Sequence, residues 1–197
     1  MSGPKPYHHG DLRDALLTAG EGALADLPLA EVSLREIARR AGVSHAAPKH
    51  HFGTLGELLG EIAARGFDQF VQTLATAADQ ASEQTPADRM HAMMRAYLRF
   101  ADAQPAVYGL MFGRANACAM TPHLVAAQMA AWEQLEEAVA AIVGSQRAVT
   151  GAALVWSTVH GLASLRLERR LPPHIDPHQA IEQVGRLVIA GLRSDVL

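Results

Sequence analysis

Apolar residues recur every three to four positions along most of the chain, while the alternating pattern of a β-strand is nearly absent. Capping residues and prolines divide this pattern into about nine segments. We therefore predict an all-α protein with an N-terminal three-helix domain over residues 1–53 and a C-terminal helical domain over 54–197. The second domain is expected to begin with a long linker helix over 54–80, opened by Thr54 and Glu57 as a capping box.

The second and third helices are predicted to be short and joined by a tight turn. Ser33 and Glu36 have the spacing of a capping box, which indicates where the second helix begins. Gly42 marks its end, because glycine readily takes the left-handed conformation found there. We expect Ser44 to cap a third helix that runs to about Phe52. Two helices around so short a turn have the spacing of a helix-turn-helix.

The composition narrows the class of protein. No run approaches the roughly 18 apolar residues that a membrane span needs, and residues 1–7 lack the apolar core of a signal peptide, so we expect a cytoplasmic protein that does not enter membranes. Cys118 is the single cysteine, which excludes an internal disulfide. The net charge is -3, and residues 1–53 are balanced in formal charge, so any binding of DNA must come from local architecture rather than from overall charge.

The segment from Ser33 to Ser44, SLREIARRAGVS, followed by His50-His51-Phe52, resembles the TetR-like transcriptional repressors. Trp156 with His160-Gly161 is similar to a Trp-His-Gly signature in the sensor domain of one subgroup. The resemblance implies a DNA-binding head, a helical ligand-binding domain, and a homodimer formed by the last two helices as an intermolecular four-helix bundle. It implies a ligand-responsive repressor bound to a double-stranded, near-palindromic operator.

The expected DNA contacts lie around the third helix. Apolar, lysine and histidine side chains there are expected to face the major groove, and small hydroxyl side chains at helix starts to hold phosphates. The predicted DNA-binding residues are Ser33, Ser44, His45, Ala46, Lys49, His50 and Thr54. Two positions depart from the family pattern: Lys49 replaces an aromatic residue, and Leu55 replaces a lysine that contacts the DNA backbone. The alternative interpretation is that these are ordinary exposed residues of a small helical domain.

The C-terminal helices carry methionine and aromatic side chains that adapt to varied apolar molecules. The predicted ligand-binding residues are Met93, Tyr97, Met111, Phe112, Met129, Trp132, Trp156 and His160. The expected ligand is a small, mostly apolar inducer. A stripe at helical spacing is also what a plain core looks like, and that alternative stays open.

Other chemistry has weaker support. Small residues in the last two helices allow close helix contact, either with a second copy or within one chain. The histidines at 8–9, 50–51 and 174–178 lack a complete ligand set, so we expect no metal and no cofactor. No phosphate-binding glycine loop or nucleophile motif is present, and we do not expect an enzyme. The alternative function is a helical small-molecule-binding protein or enzyme whose head no longer reads DNA.

Overall fold

The computed structural model describes residues 9–81, 83, 85–113 and 118–194, and for residues 9–11 the backbone alone. That part of the chain contains nine α-helices, a single 3-10 turn at Leu29–Glu31 and no strand, which confirms the predicted all-α class. The helices are α1 (His9–Asp26), α2 (Leu34–Arg40), α3 (Ala47–Phe52), α4 (Leu55–Gln80), α5 (Pro86–Ala103), α6 (Pro105–Phe112), α7 (Pro122–Val143), α8 (Ser145–Leu167) and α9 (Pro177–Arg193).

The helices form two compact units. The first unit contains the chain up to Gly66 together with Ala106–Ala126, and the second contains Phe67–Pro105 and the chain from Ala127 onward. The helix α4 therefore contributes its first half to one unit and its second half to the other. This division follows packing, whereas the predicted boundary at residue 53 separates two functions and stays a prediction.

The core of the first unit lies where α1, α2 and α4 meet. Leu16, Ile37, Leu58 and Ile62 have no accessible surface there. Gly20 on α1 makes this contact possible, because a Cβ at that position would lie 2.5 Å from Ile62 Cδ1 and 3.2 Å from Leu58 Cδ2. The backbone of α1 thus packs directly against the apolar face of α4, and α2 is held by the same side chains.

Two further glycines let α6 and the start of α7 approach α4 within the first unit. A Cβ on Gly60 would lie 2.4 Å from the carbonyl oxygen of Ala119, and a Cβ on Gly66 would lie 2.7 Å from Val107 Cγ1. The amide of Ala119 also donates to the carbonyl of Gly56 at 2.8 Å. The segment before α7 is therefore fixed to α4 by backbone contacts that side chains would prevent.

The second unit has an apolar core between α5, α7, α8 and α9. Its most deeply buried large side chains are Met90, Met94, Leu98, Val139, Val155, Ile181 and Leu192. Gly151 brings α8 close to its neighbours, since a Cβ there would lie 2.7 Å from Val139 and 2.9 Å from Leu192. The imidazole of His91 on α5 packs against Gly185 on α9, and its Nε2 would lie 2.3 Å from a Cβ at residue 185. Such contacts leave no space for larger residues at these two positions.

The prediction that Ser44 caps the third helix was wrong. The helix α3 begins at Ala47, its N-cap residue is Ala46, and no side chain caps it. Ser44 instead accepts a backbone hydrogen bond from Ala47 within the preceding turn, at 3.0 Å. The cause is Pro48, which lies in the first helical turn, where a proline has no amide hydrogen to lose and its fixed φ suits a helix start.

The predicted capping box at α2 is confirmed in one of its two bonds. The Ser33 hydroxyl accepts from the amide of Glu36 at 3.2 Å. The Glu36 carboxylate was expected to return to the backbone of Ser33, but it accepts hydrogen bonds from Arg39 and Arg40 instead. Charged guanidinium donors on the next turn bind a carboxylate more strongly than a neutral amide does.

One helix of the described chain, α8, is long and apolar enough to pass as a membrane span by length and composition, with a mean hydropathy of 1.3. Only 33% of that apolar window is buried. A helix of a helical bundle with an uncovered face has the same properties. The exposed part of α8 therefore requires an explanation in terms of a partner or a surface.

We predict that Gly60→Ala destabilises the protein by about 1–3 kcal/mol. The new methyl group would meet the Ala119 carbonyl, which is backbone and can move aside only if the segment before α7 shifts away from α4. The matched control is Gly109→Ala on α6, where a Cβ would meet nothing within 4 Å. That variant should be unchanged or up to about 1 kcal/mol more stable, because alanine favours helix. Urea denaturation measures both, and equal stabilities of the two variants would contradict the packing argument.

Candidate functional site

The turn between α2 and α3 is held by a Schellman motif. The amide of Val43 donates to the carbonyl of Ala38 at 3.0 Å, and the amide of Gly42 donates to Arg39 at 3.2 Å. Gly42 has φ +67°, the left-handed conformation that this motif requires and that other residues adopt only with strain. The motif ends α2 abruptly, so that α2 and α3 form a helix-turn-helix.

The helix α3 is attached to the first unit by one face only. Pro48 and Phe52 are buried, and the guanidinium of Arg13 on α1 lies over the Phe52 ring, 5.2 Å from its centroid. This is the geometry of a cation–π interaction, which fixes the end of α3 against α1. Lys49 and His50 lie on the opposite, exposed face.

All seven residues predicted to contact DNA are exposed: Ser33, Ser44, His45, Ala46, Lys49, His50 and Thr54. Lys49 and His50 lie on α3, whereas His45 and Ala46 precede it in the turn, which corrects their expected place on the helix. The Thr54 hydroxyl accepts from the amide of Glu57 at 3.1 Å and so begins α4. All seven residues lie between positions 33 and 54 and are accessible to a ligand. Their contacts with DNA stay a prediction.

Ion pairs with carboxylates neutralise much of the basic charge of the helix-turn-helix. Arg39 donates to Glu36 from Nε at 2.8 Å and from Nη2 at 2.7 Å. Arg40 donates to Glu36 at 2.8 Å and to Asp26 at 2.6 Å. Hydrogen bonds from Arg39 and then Arg40 lower the pKa of the Glu36 carboxyl from 4.5 to about 2. Two of the arginines in the expected family motif are thus bound to carboxylates rather than available to a ligand.

Two basic residues of the head remain without such a partner. Residues 12–53 carry five basic and five acidic side chains. Arg13, Arg39 and Arg40 form ion pairs, whereas Arg35 and Lys49 are exposed and make no ion pair with any described residue. Sequence reasoning found Lys49 but missed Arg35. The signal was present, because the spacing of Glu36 to Arg39 and Arg40 predicts that these two are neutralised along the helix.

Sequence reasoning also missed the carboxylate of Glu61, which joins three helices of the first unit. Its side chain is 12% exposed and accepts from Arg13 on α1 and from His123 on α7. Burial by itself raises the pKa of Glu61. Hydrogen bonds from Arg13, Thr121 and His123 outweigh this effect, so the pKa lies below its ordinary value. The group is therefore an ionised carboxylate at neutral pH that ties α1 and α7 to α4.

Five side chains of the second unit form an aromatic cluster: Phe70, Tyr97, Trp132, Trp156 and His160. The hydroxyl of Tyr97 and Nδ1 of His160 are 3.0 Å apart. Trp156 lies one turn before His160 on α8, with ring centroids 5.9 Å apart, and meets Trp132 edge to face at 6.2 Å. Phe70 packs edge to face on Tyr97 at 5.0 Å. The structure thus brings together four of the predicted ligand-binding residues.

The other four predicted ligand-binding residues are not part of this cluster. Met93 is buried on α5, and Met129 on α7 is 57% exposed. Met111 and Phe112 on α6 belong to the first unit, where Met111 Sδ would lie 2.8 Å from a Cβ on Gly66. Met111 therefore has a packing role on α4, and a ligand role for any of the four stays a prediction.

Residues 90–188 match a family model described as the tetracyclin repressor-like C-terminal domain. This chain belongs to the TetR family of transcriptional regulators. The match spans α6 to α8 and most of α5 and α9, and it includes Trp156 and His160-Gly161. Family membership explains why an exposed helix-turn-helix and a separate bundle with a polar pair in its interior occur in one chain.

Solved structures agree with membership of the TetR family. A protein of unknown function from Rhodococcus sp. RHA1 is 32% identical, with a TM-score of 0.83 over 97% of this chain and 100% of that one. A transcriptional regulator from the same organism is 27% identical, with a TM-score of 0.70 over 91% of this chain and 95% of that one. A TetR family regulator from Thermus thermophilus, 20% identical with a TM-score of 0.63 over 91% and 99%, shares the fold. No curated protein matches the chain.

We predict that Glu36 stabilises this TetR-family head in a pH-dependent way. Its folded-state pKa, about 2, lies below its ordinary value of 4.5, so its contribution is complete above pH 4.5 and is lost as the pH falls towards 2. Wild type should therefore exceed Glu36→Gln in free energy of unfolding at pH 7, with the difference shrinking below pH 4.5. Urea titrations at several pH values measure this, and a difference independent of pH would refute it.

Proposed function

We propose that this regulator is a repressor that binds a near-palindromic operator as a homodimer and is released by a small, mostly apolar ligand. The observation that carries the proposal is the exposed face of the helix-turn-helix, on which Arg35 and Lys49 have no acidic partner among the described residues. The total charge of the head is balanced, so phosphate binding requires exposed cations that are not already paired with carboxylates.

The roles of the exposed residues follow from their positions. Lys49, His50, His45 and Ala46 are suited to base edges in the major groove, where lysine and histidine meet acceptors and a methyl group meets thymine. Arg35, Ser33 and Thr54 lie at or beside helix starts, where free amides and the helix dipole favour phosphate oxygens, and Ser44 offers its hydroxyl from the turn before α3. Leu55 supplies no charge at the start of α4, and Arg35 offers a phosphate contact in its place.

A second copy of the chain is the proposed occupant of the exposed face of α8 and α9. Its large exposed apolar side chains include Leu154, Leu165 and Leu187, the last of them 72% exposed. Gly161 and Gly191 lie in the same two helices, and a Cβ on either would meet nothing within 4 Å. Glycine inside a helix costs about 1 kcal/mol relative to alanine. No contact among the described residues offsets this cost, whereas close approach of another helix would.

The proposed switch follows from this dimer. Two heads reading half-sites of one operator must lie about 34–36 Å apart, one turn of DNA. A ligand acts only through its different affinities for two conformations. We propose that the ligand favours a conformation in which the α4 helices hold the two heads at a separation that does not match the operator.

The DNA-binding proposal predicts different effects for three exposed basic residues of the helix-turn-helix. Lys49→Ala and Arg35→Ala should each weaken operator binding, because Lys49 is proposed to contact base edges and Arg35 a phosphate. Arg35→Ala should also reduce the slope of log K against log salt by about 1. Arg39→Ala is the matched control: Arg39 is equally part of α2 and exposed, but it is bound to Glu36. Fluorescence anisotropy on the DNA directly upstream of the coding sequence, against a scrambled duplex, measures all three.

Specific binding by wild type, several hundredfold above the scrambled duplex, is the expected result. Loss of affinity in Arg39→Ala equal to that in Lys49→Ala would show that unpaired charge is not what the operator selects. Equal weak binding to both duplexes by wild type would favour the other function considered, a helical ligand-binding protein whose head no longer reads DNA.

The dimer proposal predicts that Leu187→Glu gives a monomer, because a charge at a buried interface lacks a partner and is costly to desolvate. Met120→Glu is the matched control, since Met120 is 63% exposed but lies outside α8 and α9. Light scattering after size-exclusion chromatography should show a dimer for wild type and Met120→Glu. A dimeric Leu187→Glu would place the interface elsewhere.

A further inference from the structure

The aromatic cluster of the second unit belongs to a closed circuit of contacts around four helices. From α4 the circuit passes through Phe70 to Tyr97 on α5, and from the Tyr97 hydroxyl to His160 on α8. From His160 it continues through Trp156 to Trp132 on α7. Each of these four helices thus contributes an aromatic or imidazole ring to the circuit.

Gln134, two residues after Trp132 on α7, closes the circuit. Its side-chain Nε2 donates to the backbone carbonyl of Val71 on α4 at 3.0 Å, and Val71 follows Phe70 in the chain. This bond fixes the orientation of the amide, because only the nitrogen can donate to a carbonyl. The circuit therefore surrounds one region of the bundle with side chains from α4, α5, α7 and α8.

The carbonyl oxygen of Gln134 has no partner among the described residues. Its Oε1 is buried and makes no hydrogen bond with any of them. Buried acceptors in folded proteins are nearly always satisfied, and an unsatisfied one is a position where a missing donor belongs. The structure thus holds an oriented, unpartnered acceptor on α7, one of the four helices that carry the aromatic cluster.

The surroundings of this acceptor favour an uncharged molecule. Among the described residues no charged side chain is buried, and the Glu136 carboxylate accepts the indole N–H of Trp132 at 3.0 Å. Burial lowers the pKa of His160, so its imidazole is neutral at neutral pH. An anionic ligand would lose its hydration here without gaining an opposite charge. Aromatic faces and edges instead suit a flat apolar body.

We propose that Gln134 is the hydrogen-bonding residue of the effector site and that the effector is an uncharged, flat, apolar molecule with one hydrogen-bond donor, such as a phenol. The proposal rests on the proposed function, since it takes the second unit to be the part that binds the effector. It assigns a role to the Trp-His pair of α8 as well: Trp156 forms part of the apolar wall, and His160 pairs with the Tyr97 hydroxyl.

The test uses three probes of nearly equal size: 4-propylphenol, 4-propyltoluene, which replaces the hydroxyl with a methyl group, and 4-propylbenzoate, which is charged. Trp132 and Trp156 are the two tryptophans of the chain, so quenching of intrinsic fluorescence reports binding at the cluster directly. Wild type should bind the two neutral probes and bind the benzoate at least tenfold more weakly, because the site offers no counter-charge.

Gln134→Met keeps the size of the side chain but removes the acceptor. The ratio of the toluene Kd to the phenol Kd should fall by about tenfold in this variant, corresponding to loss of one buried hydrogen bond. Gln72→Met is the matched control, since Gln72 lies exposed on α4, and it should keep the wild-type ratio. Circular dichroism checks that both variants fold.

Three results would overturn the proposal. A wild-type protein that binds the benzoate most tightly, or that responds to neither neutral probe, excludes an uncharged aromatic effector without use of any variant. An unchanged ratio in folded Gln134→Met excludes Gln134 as the partner. Operator binding is measured separately and without probes, so failure of the probes leaves the DNA-binding function intact, and failure of operator binding leaves the probe result readable.

Discussion

The contact of α1 with α4 at Gly20 is the constraint on which the position of the helix-turn-helix depends. Because residue 20 has no side chain, Ile62 and Leu58 of α4 reach the backbone of α1, and Ile37 of α2 packs against the same position. A rigid three-helix contact of this kind fixes α2, and the Schellman motif at Gly42 then fixes the direction in which the chain leaves it. The short α3 has too few residues to be stable alone and takes its position from these neighbours.

Electrostatics in the head depends on which cations are already bound. Glu36 holds Arg39 and Arg40, Glu61 holds Arg13, and the exposed face keeps Arg35 and Lys49. A head with a balanced formal charge can therefore still present exposed cations that are not neutralised by a neighbouring carboxylate. Exposed ion pairs contribute at most about 1 kcal/mol each to stability, and they also decide where the remaining charge lies. That placement matters more for recognition of a phosphate backbone than the total does.

The second unit shows the opposite arrangement of polar groups. Its interior is almost wholly apolar, and the side chains of Tyr97 and His160 are paired with each other there. Three buried polar atoms, His91 Nε2, Gln134 Oε1 and Arg147 Nε, have no hydrogen-bond partner among the described residues. Of these, the oxygen of Gln134 can only accept a hydrogen bond, and burial makes the absence of a donor costly. On α8 and α9, Leu154, Leu165 and Leu187 are exposed, and a Cβ on Gly161 or Gly191 would meet no atom within 4 Å. These features support the proposed contact with a second copy of the chain.

The sequence by itself determined the all-α class, the helix boundaries set by prolines and glycines, and the helix-turn-helix at residues 33–52, because capping and periodicity act between residues close together in the chain. It misplaced the start of α3, where Pro48 outweighed Ser44 as a helix signal. Tertiary structure alone decided that α6 packs with the first unit, that Glu61 joins Arg13 to His123, and that Gln134 reaches Val71 while its oxygen stays unpaired. These contacts join residues about 48 to 63 positions apart in the chain. No local periodicity or spacing records which distant side chains meet, since that depends on how whole helices pack.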